Sequence, residues 1–340
     1  MPKLNVLVAG STGYIGIQLV YLLTKHKFVN IKYLCGNSSV GKNIAVYDKR
    51  LKNKKLPKII KFNYKFLKDV DIIFTALPNG EAQKISKKLL VNNVLIDLAA
   101  DFRLKKSSDY LKWYKQKHQA PKKIKDSFYS LPELTGKKLR NYQIIGCPGC
   151  YPTSILLALT PLLKKKLIKE NNIIIDSKSG YSGAGRGVHK KYKDKNLYES
   201  LSAYGVGFHR HNSEIDQFLN KFSNSKIICT FTPHLTPMFR GILSTIYVDL
   251  NKGRTINNIY NELVRFYKNS SFIKVLKTNS MLSTNNVINT NNCEISVCKS
   301  KYKNKAIILS TIDNLIKGGA GQAIQNMNIL KNLKEHEGLK

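Results

Sequence analysis

Two cysteines, Cys147 and Cys150, lie three apart in the run Gly146-Cys147-Pro148-Gly149-Cys150-Tyr151-Pro152-Thr153. The glycines and prolines hold such a loop in few conformations. Pro152 suits the first turn of an apolar helix expected over Thr153–Leu163. Cys150 would then sit just before a helix N-terminus, where the dipole lowers a thiol pKa. A free thiol near about 8.5 is roughly 3% thiolate at pH 7, and lowering it to about 7 raises that roughly fifteenfold. The gain is far below a catalytic rate, so positioning and an oxyanion site must contribute more. Two chemistries stay open here: nucleophilic attack by Cys150, or a redox pair of the CxxC kind. Cys35, Cys229, Cys293 and Cys298 form no second CxxC, so no metal site is expected.

A nucleophilic thiol needs a base. The chain has seven histidines, and His209-Arg210-His211 places two of them around an arginine, with Glu214 three residues on. If the segment is extended, His209 and His211 face one side. One of them would exchange protons, while Arg210 or Glu214 would bind a charged substrate.

A second kind of site opens the chain. Gly10-Ser11-Thr12-Gly13-Tyr14-Ile15-Gly16 follows the apolar run Leu4–Ala9 and precedes residues at helical spacing, Gln18–Leu23. Strand, tight turn and helix N-terminus make a pyrophosphate cradle, so these seven residues are candidate dinucleotide contacts. A second strand, Ile31–Cys35, ends at Gly36-Asn37-Ser38-Ser39-Val40-Gly41-Lys42. The carboxylate that would bond the ribose hydroxyls of NAD is absent. Ser38, Ser39 and Lys42 favour a 2′-phosphate instead, hence NADP(H). A third small-residue loop, Asp176–Arg186, contains Ser179, Ser182 and Gly183, and its amides suit a phosphate or a nicotinamide.

These sites require a particular frame. Strands are expected at Leu4–Ala9, Ile31–Cys35, Val70–Leu77 and Val94–Leu98, with a helix at Glu81–Val91: a Rossmann-type doubly wound parallel α/β sheet. After Cys150 the character changes. Ile173–Asp176, Lys226–Pro233 and Gly241–Asn251 read as strands and Ile256–Tyr267 as an amphipathic helix, giving an α+β domain on a more antiparallel sheet. The expected division is a dinucleotide-binding domain at 1–149, completed by a C-terminal helix within 315–340, and a catalytic domain at 150–314.

Composition narrows the class. The chain has 340 residues, with 57 basic against 21 acidic side chains for a formal charge of +36. Such a charge raises a nucleic-acid or membrane-surface partner. The lysines, however, are scattered between the motifs without a regular stripe of arginines and aromatics, so a solvated surface is the reading taken. Asn141–Leu163 carries no charged residue, but its prolines and glycines argue for a loop entering a buried helix rather than a membrane span. The six apolar-rich residues before Gly10 are too few for a signal-peptide core, so a cytoplasmic location and reduced thiols are expected.

With these motifs in hand, the chain resembles the N-acetyl-γ-glutamyl-phosphate reductase family of arginine biosynthesis over nearly its whole length. The matching segments are Gly10–Gly16, Leu77–Gly80, Asp97–Arg103, Leu131–Leu134, Pro148–Thr153, Ser179–Arg186, His209–His211, Phe231–Met238 with Arg240-Gly241, and Gly321–Asn328. The resemblance implies a two-domain fold of the semialdehyde dehydrogenase type. It implies NADPH-dependent reduction of N-acetyl-glutamyl 5-phosphate to N-acetyl-glutamate 5-semialdehyde and phosphate through a thioester on Cys150. It also implies His211 ahead of His209 as acid/base, Arg103 at the leaving phosphate, Ser179 at the substrate, Pro78 and Asn326 at the cofactor, and a homodimer or homotetramer. Three positions depart from the family pattern: Cys147 stands for Asn, Asn79 for His, and Ser213 for Pro. Aspartate-semialdehyde dehydrogenase and the aminoadipyl-phosphate reductase share the mechanism and are the nearest rivals. The segments His209–Gln217 and Thr232–Arg240 favour the arginine enzyme.

Overall fold

The computed structural model describes residues 2–186, 199–223 and 226–340. Two compact units form, residues 1–148 with 319–340 and residues 149–318.

The first unit runs β1 (Leu4–Ala9), α1 (Tyr14–Leu23), β2 (Val29–Cys35), β3 (Ile59–Ile60), β4 (Ile72–Thr75), α2 (Glu81–Ser86), β5 (Val94–Asp97), α3 (Ser107–Tyr114), β6 (Ser127–Tyr129), α4 (Pro132–Thr135) and β7 (Ile144–Gly146). Its seven strands pair in the order β3-β2-β1-β4-β5-β7-β6, every neighbour parallel. Parallel strands covered on both faces need unbroken apolar runs, and Val6, Leu7, Ile73, Phe74, Leu95 and Ile96 are all fully buried. Strand order reverses between β1 and β4, whose last residues Ala9 and Thr75 lie side by side. Ligands of such sheets bind beyond the strand ends at this crevice. The expected helix at Glu81–Val91 stops at Ser86, and Lys88 N–H then bonds back only three residues to the Ile85 carbonyl.

The second unit runs α5 (Cys150–Lys164), β8 (Ile173–Gly180), β9 (Ser202–Ala203), α6 (Asn212–Leu219), β10 (Cys229–Thr236), β11 (Ile242–Asp249), α7 (Ile256–Tyr267), β12 (Ile273–Val275), β13 (Cys293–Lys299) and β14 (Lys305–Ile312). Its sheet is mixed, in the order β12-β13-β14-β11-β8-β10-β9. Helix α5 carries no charge before Lys164 and is buried from Tyr151 to Leu163, as a helix crossing a core must be. Pro161 lies inside it and cannot donate to the Leu157 carbonyl. Tyr267 of α7 supplies the missing bond, its hydroxyl donating to Leu157 O at 2.6 Å. Under the same helix Ser154, Ser177 and Ser244 share hydroxyl bonds of 2.7 and 2.8 Å, small polar side chains that satisfy one another where helix and sheet meet. The opposite sheet face stays open: Ile174 is 43% and Tyr247 42% exposed, beside half-buried Asp176, Lys178 and His234.

A π-helical turn (Ile316–Ala320) follows β14, and α8 (Gly321–Leu330) returns the chain to the first unit. Among the described residues no helix is long and apolar enough to cross a membrane.

Candidate active site

Cys150 is the first residue of α5 rather than the residue before it, with Gly149 as the N-cap. The positive end of the helix dipole therefore falls on Cys150 itself. Thr153 fastens this end, its N–H and its hydroxyl both donating to Gly149 O, at 3.0 and 2.9 Å. The thiol is partly accessible, whereas Cys35, Cys147, Cys293 and Cys298 are buried.

His211 lies against the same main chain. A Cβ added to Gly149 would come within 2.4 Å of His211 Nε2, so only glycine permits this approach. Glu214, fully buried on the first turn of α6, ties the two together. Its Oε2 accepts the Gly149 N–H at 2.9 Å and its Oε1 lies 3.8 Å from His211 Nε2. Glu214 was expected at the substrate, but its carboxylate is turned inward onto the nucleophile loop and the histidine.

The segment His209–His211 is not extended. It is a turn that enters α6, with His211 at the N-cap in helical conformation. The two rings still gather on one aromatic, each edge-on to Tyr151 at 5.8 and 5.9 Å. They differ in chemistry. His209 Nδ1 accepts the His211 N–H at 3.2 Å, and burial, with Arg210 beside it, lowers the His209 pKa to about 4. His209 is thus a neutral structural acceptor at pH 7. Arg210 is exposed and makes no ion pair among the described residues. Ser213 supports it by donating to the Arg210 carbonyl at 2.6 Å.

Ser179 is buried near the end of β8, its hydroxyl on Gly180 O. Ser182 is buried too, accepting from Asn314 Nδ2 at 3.0 Å, so of the loop's two expected cofactor contacts only Gly183 is exposed. Sequence reasoning missed Tyr151 and Tyr204. The Tyr204 hydroxyl donates to that of Tyr151, which donates to His234 O, and burial drives the Tyr151 phenol far up. A tyrosine directly after the nucleophile was the signal available.

In the first unit the glycine turn has the form its spacing implies. Gly10 has φ +84° and abuts the Ala76 carbonyl, where a Cβ would lie at 2.2 Å. Gly13 caps α1 and its missing side chain leaves open space, with only Gly10 O within 4 Å. A Cβ on Gly16 would strike Gly10 O at 2.1 Å. Ser11 is buried and bonds Cys35 O, while Thr12, Tyr14 and Ile15 complete the turn into α1. The first turn of α1 carries no acidic residue. The turn, with its open side at Gly13, fits a pyrophosphate.

Beyond β2, Ser38 and Lys42 are exposed. Ser39 is not: it is buried and its hydroxyl accepts from Tyr47 at 2.7 Å. Pro78 is exposed beyond β4. Asn326, expected at the cofactor, is buried in α8, where its carboxamide serves Ser130 and the Cys147 thiol. Arg103 is buried, donating to the Cys147 and Leu98 carbonyls at 2.8 and 3.0 Å, so it braces the chain that leads to Pro148. These contacts also account for Cys147. Burial pushes its thiol up to about 12 and Asn326 donates to its sulfur, the environment of a packed protonated thiol rather than a redox partner.

Comparisons with known proteins show the family through its domains and sequence relatives, and the fold through solved structures. Residues 5–142 match the family description "Semialdehyde dehydrogenase, NAD binding domain", and residues 150–314 match "Semialdehyde dehydrogenase, dimerisation domain". The chain is 44% identical over 345 residues to the N-acetyl-gamma-glutamyl-phosphate reductase of Brachyspira hyodysenteriae, covering 99% of this chain and 98% of that protein. It is 43% identical over 338 residues to that of Clostridium botulinum, with the same coverage. It is 40% identical over 334 residues to the probable chloroplastic reductase of Arabidopsis thaliana, covering 97% and 82%. Among solved structures it resembles aspartate semialdehyde dehydrogenase II of Vibrio cholerae complexed with ASA (TM-score 0.72, 17% identity, 98% and 99% covered). It also resembles the Candida albicans aspartate semialdehyde dehydrogenase with NADP (TM-score 0.67, 16% identity, 97% and 98% covered).

Proposed function

The chain belongs to the N-acetyl-gamma-glutamyl-phosphate reductase family of semialdehyde dehydrogenases, and from that premise we propose that it reduces N-acetyl-L-glutamyl 5-phosphate to the 5-semialdehyde in arginine biosynthesis. The observation that carries the chemistry is the seating of His211 on Gly149, directly before a cysteine at the N-terminus of α5.

His211 takes the Cys150 proton as the thiolate attacks the acyl carbon. The carbon–sulfur bond forms, the bond to phosphate breaks, and His211 passes the proton to the departing phosphate. NADPH, when bound, supplies the hydride that reduces the thioester carbon. The carbon–sulfur bond then breaks, the aldehyde leaves, and His211 returns a proton from solvent to sulfur. Glu214 fixes His211 and the Gly149 amide in one arrangement. His209 holds the turn through the His211 N–H. Arg210, exposed beside these rings, is assigned to the substrate carboxylate, with Ser179 lining the substrate side. Arg103 contributes positive charge for the phosphate while bracing Cys147.

In the first unit the residues that would hold the dinucleotide are those of the Gly10–Gly16 turn with Pro78. Ser38 and Lys42 would take the 2′-phosphate that distinguishes NADP(H). The enzyme works in the cytoplasm, as a homodimer or homotetramer. The open, partly apolar face of the second unit's sheet, with Ile174 and Tyr247, supports such an assembly. Nucleic acid and membrane have no part in the reading.

The test is an oxidation assay with phosphate and NADP that compares N-acetyl-glutamate semialdehyde with aspartate semialdehyde. Preference for the acetylated substrate is expected. A preference for aspartate semialdehyde would move the chain to the related dehydrogenases.

A further inference from the structure

Gly318 occupies an unusual place beside the nucleophile. A Cβ built on it would lie 2.7 Å from Cys150 Cβ and 3.1 Å from Cys150 Cα. One flank of the cysteine is therefore closed by main chain, with no room for a side chain. That main chain belongs to the π-helical turn Ile316–Ala320, and the Gly318 N–H bonds back five positions to Asp313 O at 2.9 Å. Wide turns of this kind are less stable than α-helix and need outside support.

The support is a buried carboxylate. Asp313 is fully buried and follows directly on β14. Its Oδ1 accepts the Leu315 and Ile316 N–H groups at 2.8 and 3.1 Å, which shapes the entry to the turn. Its Oδ2 accepts the Asn289 N–H at 2.7 Å and pairs with Arg240 Nη1 at 3.2 Å. Arg240 comes from the segment between β10 and β11 and also donates to Asn289 Oδ1. Asn314 adds a second tie, accepting the Gly241 N–H at 2.7 Å and donating to Ser182. A buried carboxylate of this kind depends on its cation, since removing one partner leaves an uncompensated charge.

We infer that the π-helical turn, braced by the Arg240–Asp313 ion pair, positions the Cys150 thiol through the main chain of Gly318. The claim deepens the proposed function and rests on Cys150 as the nucleophile. Arg240, Asp313 and Gly318 are positioning residues that act through Cys150.

The experiment uses the full chain and two readouts. One is the kcat and KM for N-acetyl-glutamate semialdehyde. The other is the rate at which iodoacetamide alkylates Cys150, followed by peptide mass with Cys150→Ser as the blank. Gly318→Ala should lower kcat about 100-fold with KM changed less than about threefold, because misplacement costs turnover rather than ground-state binding. Its alkylation rate should shift as well. Arg240→Met should lower kcat in the same manner and Arg240→Lys, which keeps the charge, should recover most of it. This pair carries the test if Gly318→Ala does not fold. Equal kcat in Arg240→Met and Arg240→Lys, or wild-type kcat and alkylation in folded Gly318→Ala, overturns the inference. An active Cys150→Ser enzyme would instead sink the nucleophile reading, while the alkylation rates still report whether the turn places the thiol.

Discussion

Replacing His209 with Asn separates the two histidines. His209 Nδ1 accepts the His211 N–H at 3.2 Å, and the Asn side-chain oxygen can take over that bond. Burial, helped by the Arg210 charge, holds the His209 pKa at about 4. At pH 7 about one molecule in a thousand then carries a proton there, too few for a proton carrier working near neutrality. In the unfolded chain the imidazole returns to about 6.5, so the unfolded state binds more protons between about 6.5 and about 4. The native state keeps its full stability above about 6.5 and loses it as the pH falls through this window. The gap of about 2.5 units corresponds to about 3 kcal/mol. Burial lowers His26 and His118 as well, so they add acid sensitivity of the same sign. The assay is chemical denaturation followed by circular dichroism from pH 4.5 to 8, with steady-state kinetics at pH 7.5. His209→Asn should flatten the acid slope by a large part of that ~3 kcal/mol and keep kcat within about threefold, whereas His211→Asn should lose turnover by at least about 100-fold. An unchanged slope, or a kcat loss in His209→Asn as deep as in His211→Asn, would refute the assignment.

Glu214→Gln keeps the shape but gives up a charge-assisted bond to Gly149, and should lower kcat about tenfold with KM nearly constant. A raised KM with intact kcat would return Glu214 to the substrate. Lys42→Ala should weaken NADPH by about fivefold, the scale of one exposed charge contact, without touching NADH. Equal use of both cofactors by the parent enzyme would defeat the reading of Ser38 and Lys42. Cys147→Ser should change kcat by less than about threefold, since a protonated buried thiol has no redox partnership to lose. Abolished activity would restore the CxxC alternative.

The fold was legible where burial is complete and runs are long. β1 and α7 stand where their apolar patterns put them, because a fully covered strand leaves an unbroken apolar run and a one-sided helix a periodic one. β3, β6 and β7 span only two or three residues, too few to show any period. The glycine turn and the Cys150 loop were legible because backbone demands leave residue types behind. Residue type alone could not tell which polar groups turn inward. Ser39, Glu214 and Asn326 are chemically suited to ligands, and the structure uses each on its own chain. The turn at His209–His211 was hidden because the helix it enters starts only at Asn212. Asp313 went unread and Gly318 read only as part of the C-terminal helix within 315–340, because a π-helical turn has no spacing rule of its own.

The central claim is the thioester on Cys150. Enzyme mixed with N-acetyl-glutamate semialdehyde and NADP in the absence of phosphate should give a single burst of NADPH, one per active site. Peptide mass should find the N-acetylglutamyl group on Cys150, and added phosphate should discharge it. Steady NADPH formation without phosphate, or an acyl group on any other residue, would contradict the account.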